Sequence, residues 1–98
     1  MYGTIARLHV RPGAETQLQE ALAAIRSRQA HGFVASYLYR MDEDPDVLML
    51  AVLFADRETY HRNADDPAQD RDYRVMRELL DSDPEWHDGE VVWSSPTS

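Results

Sequence analysis

The sequence contains no cysteine, which excludes disulfides, iron–sulfur clusters and thiolate nucleophiles. It also has no long hydrophobic run, since the longest, residues 47–55, is nine residues and too short to span a bilayer. The opening Met-Tyr-Gly-Thr has neither the basic nor the apolar stretch of a signal peptide. We therefore expect a soluble protein located in the cytoplasm.

Positive charge is scarce. All ten basic residues are arginine, against 18 acidic residues, and the formal net charge is -8. Residues 1–41 carry five arginines and two acids, whereas residues 42–98 carry five arginines and sixteen acids. Nucleic acids and anionic membrane surfaces both favour clustered positive charge, so neither is expected as a partner.

Signatures of cofactor and metal sites are also missing. No P-loop, G-x-G-x-x-G, G-x-S-x-G or H-E-x-x-H motif occurs, and the four histidines are scattered. The acidic residues 42–46 do not begin an EF-hand, because Val47 and Leu53 stand where its glycine and glutamate are needed. We interpret them as a solvated hairpin loop. Neither a metal ion nor another cofactor is expected.

The hydrophobic pattern predicts one α+β domain over residues 1–95, with 96–98 as a loose tail. A chain of 98 residues has room for a single core. A helix follows Ala14, with Gly32 as its stop, and a second helical region follows Asp56, broken near residues 64–66 because Asp66-Pro67 is a new helix start. Alternation or β-forming composition predicts strands over 2–10, 33–41, 47–54 and 90–94.

The order βαββαβ is that of a ferredoxin-like fold, with a four-stranded antiparallel sheet in the order 4-1-3-2 and helices on one face. Strand 47–54 is apolar on both faces, although a strand with one wet face should alternate. Two helical regions are too few to cover both faces. We therefore expect the second face to pack against another copy of the chain, which predicts a homodimer built sheet against sheet.

The stretch Leu-Phe-Ala-Asp-Arg-Glu-Thr-Tyr-His-Arg-Asn-Ala-Asp-Asp-Pro, residues 53–67, is the most specific in the chain. It resembles the point at which members of the antibiotic biosynthesis monooxygenase family end the third strand and begin a helix with a small–x–Pro break. The resemblance extends over residues 2–94 and implies a dimeric α+β barrel.

Two positions depart from the family pattern. Many members close the strand with tryptophan and carry a histidine nine residues further on, and here Phe54 and Asn63 stand in those places. In haem-degrading members that histidine is the axial iron ligand, and a first-strand asparagine shapes the pocket, whereas residues 2–10 contain no asparagine. A carboxamide is a poor iron ligand beside imidazole. Haem degradation is therefore disfavoured.

The other branch of the family oxidises phenolic polycyclic substrates with O₂ and no cofactor. The resemblance implies a similar activity on a small aromatic or quinone-type molecule, which needs a dry pocket and partners for a substrate anion. Tyr60 and Asn63 share a helix face, and His61 is the candidate base. The resemblance therefore implies Tyr60, His61 and Asn63 as candidate catalytic residues, with Phe54, Tyr37 and Trp86 binding substrate.

Each of these residues also has a structural interpretation. Phe54 and Tyr60 are equally typical of a core, Asn63 can bond the backbone freed at the helix break, and His61 can pair with an acid one turn away. Trp86 lies in a cluster with His87 and Asp88, for which a structural role is favoured. The alternative function is a non-catalytic dimeric module that binds a small hydrophobic molecule.

Overall fold

A computed structural model describes residues 1–28 and 30–95, so the predicted tail at 96–98 lies outside the described residues. Four strands and three helices follow one another in the predicted order. They are β1 (Tyr2–His9), α1 (Glu15–Arg26), β2 (Phe33–Arg40), β3 (Val47–Phe54), α2 (Arg57–Ala64), α3 (Pro67–Arg77) and β4 (Glu85–Glu90).

The sheet has the order β2-β3-β1-β4, and every neighbouring pair is antiparallel. This is the predicted ferredoxin-like arrangement. The central position of β3 agrees with its composition, since it is apolar at every position. An internal strand is paired on both sides, so it needs no charged residues to prevent pairing with another chain. The fold class predicted from the sequence is therefore confirmed.

The core lies between the helices and one face of the sheet, here called the inner face. Its four fully buried large side chains are Leu8 of β1, Leu48 of β3, Leu18 of α1 and Leu80 beyond α3. Burying one leucine side chain is worth about 1.5–3 kcal/mol. The apolar stripes of the predicted helices thus supply the core, and the helices cover one face as expected.

The helix starts follow the predicted capping chemistry. Asp56 accepts a hydrogen bond from the Thr59 amide at 2.8 Å, and Asp66 accepts one from Ala68 at the same distance, with Pro67 in the first turn. One predicted stop is wrong. Helix α1 ends at Arg26, and Gly32 instead lies in the turn before β2 with φ +83, a conformation that favours glycine.

The predicted last strand is also wrong. Strand β4 spans Glu85–Glu90 rather than 90–94, and its Asp88-Gly89 pair lies within the strand instead of forming a turn. Pairing with β1 explains the difference, because Gly3 lies opposite Gly89 and Arg7 opposite Glu85. Every residue of β4 is exposed, so burial left no hydrophobic alternation from which the strand could be recognised.

A bulge changes which side chains share a face in β2. Alternation from the sequence would place Phe33 on the same face as Tyr37 and Tyr39. The register shifts between Phe33 and Ala35, which pair with the consecutive residues Phe54 and Leu53. An extra residue reverses the alternation. Phe33 therefore joins Phe54 on the inner face, while Tyr37 and Tyr39 remain on the outer face.

The outer face carries an apolar row that no part of the described chain covers. Ile5, Ala51 and Tyr37 lie side by side across β1, β3 and β2. Ile5 is 53% exposed and Tyr37 57% exposed. In the next row, Met49 lies beside Tyr39, which is 56% exposed. These five residues are called the outer patch below.

Candidate functional site

An open groove of ≈ 480 Å³ runs between α1 and the inner face of β2 and β3. Leu22 of α1, Leu38 of β2 and Leu50 of β3 form its apolar walls. A second depression of ≈ 380 Å³ adjoins it, and Arg26 and Ser27 line both. Together they make a concave surface on the helix side of the sheet, which is the usual setting for a small-molecule site.

An ion pair joins β2 to the N-terminal end of α1. Arg40 Nε donates to Glu15 Oε1 at 2.7 Å, and Arg40 Nη2 donates to Glu15 Oε2 at 2.5 Å. This two-point geometry is the strong form of an arginine–carboxylate contact. The hydrogen bond with Arg40 holds the pKa of Glu15 below its usual range. Arg26 lies at the opposite, C-terminal end of α1 and lines the groove there, at what is called its open end below.

A chain of aromatic contacts begins at the open end of the groove. Phe33 meets Phe54 edge to face with ring centres 5.8 Å apart, and Phe54 meets Tyr60 in the same way at 5.8 Å. Tyr60 then contacts Tyr2 at 5.2 Å. These geometries are the ones that aromatic rings prefer. The rings place helix α2 firmly over β1 and β3.

Tyr60 ends in a polar cluster on the β4 side. Its hydroxyl donates to Asp88 Oδ1 at 2.8 Å. Burial, with further contributions from the hydrogen bond and the charge of Asp88, raises the pKa of Tyr60 to about 12, while the nearby Thr4 hydroxyl acts in the opposite direction. Tyr60 is therefore a neutral donor at physiological pH and cannot itself be the base.

Thr4 lies beneath this cluster on β1, opposite Asp88. Its hydroxyl oxygen is buried, and among the described residues no group meets the distance and angle of a hydrogen bond with it. A buried hydroxyl without a partner is uncommon, because losing its hydrogen bond to water costs about 1–3 kcal/mol. The cluster therefore retains capacity for one further hydrogen bond.

His61 lies at the exposed edge of the same cluster. Its ring centre is 5.3 Å from that of Tyr60 and 5.7 Å from that of Tyr2. Arg57 Nε donates to His61 Nε2 at 3.4 Å. Its imidazole contacts Arg57, one turn earlier, in place of the acid one turn later that the sequence offered. The His61 side chain is therefore fixed against α2 and accessible to solvent.

The other predicted residues lie apart from this cluster. Asn63 Nδ2 donates to Gln69 Oε1 at 3.4 Å, so it joins α2 to α3 across the helix break. Trp86 is on the inner face of β4 with its ring centre 6.3 Å from that of Tyr73. Tyr37 borders the groove but belongs mainly to the outer patch. The structure therefore brings Phe54, Tyr60 and His61 together, without Asn63, Trp86 or Tyr37.

Asp88 and Arg26 are the charged groups that sequence reasoning passed over. Asp88 was favoured as part of a turn, because aspartate before glycine is typical of turns. Arg26 was assigned only to the last turn of α1, where a cation is favourable. Finding these two residues would have required predicting contacts between distant parts of the chain. A strand at 85–90 places Asp88 beside Thr4, and the β2 bulge places Phe33 beneath Arg26.

Within residues 1–28 and 30–95, no group of three or more His, Asp or Glu side chains is arranged to hold a metal ion. In the same part of the chain, no helix combines the length and the apolar character needed to cross a membrane.

Comparison with known proteins decides the family. The sequence profile of the family described as antibiotic biosynthesis monooxygenase matches residues 1–69, well over half of the chain. The chain belongs to the antibiotic biosynthesis monooxygenase (ABM) family. The matched region of this ABM protein includes the groove and α2 and ends within the first turn of α3. All of β4, including Asp88, lies outside it.

Solved structures share the fold of this ABM protein at low identity. A mutant of SnoaB, a cofactor-independent oxygenase from Streptomyces nogalater, matches with a TM-score of 0.83 and 17% identity, over 98% of this chain and 97% of that one. A Bordetella bronchiseptica protein assigned to the same family matches with a TM-score of 0.79 and 21% identity, over 94% and 97% of the two chains. No curated protein matches the sequence significantly.

Proposed function

We propose that this ABM protein is a monooxygenase that oxidises a phenolic aromatic molecule with O₂ and without a cofactor. The observation that carries the proposal is the apolar groove between α1 and the sheet. The depression beside it is lined by Phe33, the first residue of the Phe33–Phe54–Tyr60 ring contacts. A volume of ≈ 480 Å³ lies in the range of small-molecule sites, of about 300–1,000 Å³. SnoaB, which has the same fold, is a cofactor-independent oxygenase.

The reaction balances without a further reductant. A phenol loses its hydroxyl proton, and the electron-rich ring carbon opposite the oxygen bonds to O₂, giving a peroxide that takes up one proton. Loss of the C–H proton from that carbon then forms a second C=O as the O–O bond breaks, and the departing hydroxide takes up a proton to become water. The substrate gains one oxygen atom and loses two hydrogens, becoming a quinone.

The protein's contribution is to stabilise the substrate anion and exclude water. In this proposal Phe33, with Phe54 packed against it, contacts the ring system at the depression beside the groove. The Tyr60–Asp88 pair and His61 are the polar groups at the other end of the ring contacts, where they meet a substrate that extends beyond the groove. Asp88 uses only Oδ1 to accept from Tyr60, so its carboxylate has a second oxygen for a ligand hydroxyl. His61 connects the cluster to solvent.

Oxygen uptake with a panel of polycyclic phenols tests the proposal. We expect one O₂ consumed per quinone formed, one atom of ¹⁸O₂ in the product, and activity that survives chelators without added flavin or nicotinamide. His61→Ala and Tyr60→Phe should lower turnover in a folded protein, whereas Tyr39→Phe, the same change as Tyr60→Phe but on the outer face, should not. Activity that disappears with a chelator and returns with iron would contradict the cofactor-free reaction.

One observation favours the second candidate, a module that binds an aromatic molecule without reacting. The Tyr60 hydroxyl bonds Asp88 on the β4 side, and Asn63 bonds Gln69, so neither polar group lines the groove. A binder needs only an apolar pocket with one anchor. Saturable binding of the phenols with no oxygen uptake would identify the protein as this module.

We further propose that two copies associate through the outer patch about a two-fold axis. Exposed Ile5, Tyr37 and Tyr39 form an apolar surface of the kind that soluble monomers rarely leave open. A two-fold contact lets the same patch serve both chains. Sedimentation at low micromolar concentration should give twice the 11.3 kDa chain mass, and a stable folded monomer would contradict it.

A further inference from the structure

Arg26 stands at the junction of the groove and the depression beside it and lines both. Its Cζ atom lies 5.1 Å from the centre of the Phe33 ring. A cation–π contact of this kind holds a guanidinium in place without using its N–H donors. Arg26 is also exposed, so its donors can reach a molecule that enters the open end of the groove.

The charge around Arg26 is unusual for this chain. The sequence has 18 acidic residues and only ten arginines, yet no acidic residue lines the groove or the depression. Arg28, two residues further on, pairs with Asp72, and Arg40 pairs with Glu15. Within the described part of the chain, Arg26 has no such carboxylate. The groove therefore presents a single positive charge beside apolar walls.

We propose that Arg26 binds the oxyanion of an aromatic acid or phenolate whose ring lies in the groove. Leu22, Leu38 and Leu50 would contact the ring, and the guanidinium would donate to the anionic oxygen at the open end. This assignment rests on the proposed function, because it takes the groove as the substrate site. It makes Arg26, rather than any residue predicted from the sequence, the group that selects for charge.

The chemistry of the proposed reaction agrees with this role. Electron transfer from a ring to O₂ is much easier from an anion than from the neutral phenol. A guanidinium remains protonated throughout the physiological range and favours the deprotonated form of a bound phenol. The same contact would favour a bound carboxylate over its uncharged amide. Arg26 therefore gives the groove a preference that can be measured by binding alone, without turnover.

The test compares 1-naphthoate with 1-naphthamide, which have the same rings and differ in charge. Calorimetric titration of the wild-type protein at low salt should show the carboxylate binding about tenfold more tightly, with the preference reduced by added salt. Amide signals of Leu22, Arg26 and Phe33 should shift in NMR spectra. Arg26→Gln should reduce the preference to about one while leaving the affinity for the amide nearly unchanged, and Arg26→Lys should restore part of it.

The matched control is Arg71→Gln, which removes one positive charge from an exposed position on α3. It should retain the full preference for the carboxylate. Equal affinities for the two compounds in the wild-type protein, or a preference that survives Arg26→Gln, would overturn the assignment. Because no step of this test needs oxygen, a protein that shows the preference but consumes no O₂ would contradict the proposed oxygenase function and leave the role of Arg26 standing.

Discussion

The two faces of strand β3 are equally apolar in the sequence, but in the structure one is buried under the helices and the other is left uncovered. On β3, Leu48 and Leu50 point inward and are 2% and 4% exposed. On the same strand, Met49 and Ala51 point outward into the outer patch. The inner face also pairs its polar groups locally, as Arg40 does with Glu15. The composition of β3 predicts that both of its faces are covered. Which face belongs to the core depends on where the helices pack, and composition does not show that.

The largest effect should come from placing a charge on each face in turn. Leu50→Asp buries a carboxylate without a partner and should cost about 4 kcal/mol or more, which unfolds a domain of this size. Ala51→Asp, at the next position, should leave the helix-to-sheet core intact and abolish the dimer. Circular dichroism reports the fold and sedimentation reports the mass.

If the chain folds only as a dimer, Ala51→Asp would unfold it as well. The milder variant Tyr37→Ser covers that case. It should raise the dissociation constant of the dimer while retaining the native spectrum. If Leu50→Asp gave a folded monomer and Ala51→Asp an unfolded chain, the inner and outer assignments would be reversed. If neither variant changed the mass, the outer patch would not be an interface.

The sequence predicted the order of elements, the sheet order, the broken second helix and β3 because each depends on local signals. Asp56 and Asp66 are strong helix starts, and an apolar run of eight residues can only be an internal strand here. Strand β4 was misplaced because an exposed edge strand carries no hydrophobic alternation. Its position depends on pairing with β1, which is a long-range property.

The candidate site was predicted less well for the same reason. Phe54, Tyr60 and His61 are close in sequence and were expected together, and they are together. The polar partner of Tyr60 is Asp88, 28 residues away on the misplaced strand. Arg26 contacts the Phe33 ring because a bulge turns Phe33 inward. Bulges leave little trace in a single sequence.

A smaller effect should be visible in the titration of Tyr60, the half-buried phenol of α2 that packs against the inner face. Because folding raises the pKa of Tyr60 to about 12, its contribution to stability is complete below pH 10, the ordinary value, and is lost as pH rises through about 12. Tyr60→Phe should remove the highest-pH component from the ultraviolet titration of the tyrosines. Asp88→Asn should move that component to lower pH, since the charge and hydrogen bond of Asp88 both oppose ionisation. An unchanged titration in Asp88→Asn would show that Tyr60 and Asp88 do not interact in solution.

The smallest effect should come from the Glu15–Arg40 pair, which joins the first turn of α1 to β2. The pKa of Glu15 is held below its ordinary value of 4.5, mainly by the hydrogen bond with Arg40. Its contribution to stability is therefore present above that value and is lost as pH falls through the lower, folded-state pKa. Arg40→Gln should lower the urea midpoint slightly at neutral pH and not at all in strong acid, and added salt should shrink the difference because both groups are exposed. A double-mutant cycle with Glu15→Gln isolates the pair. A coupling that persisted unchanged in acid would show that the contact is not ionic.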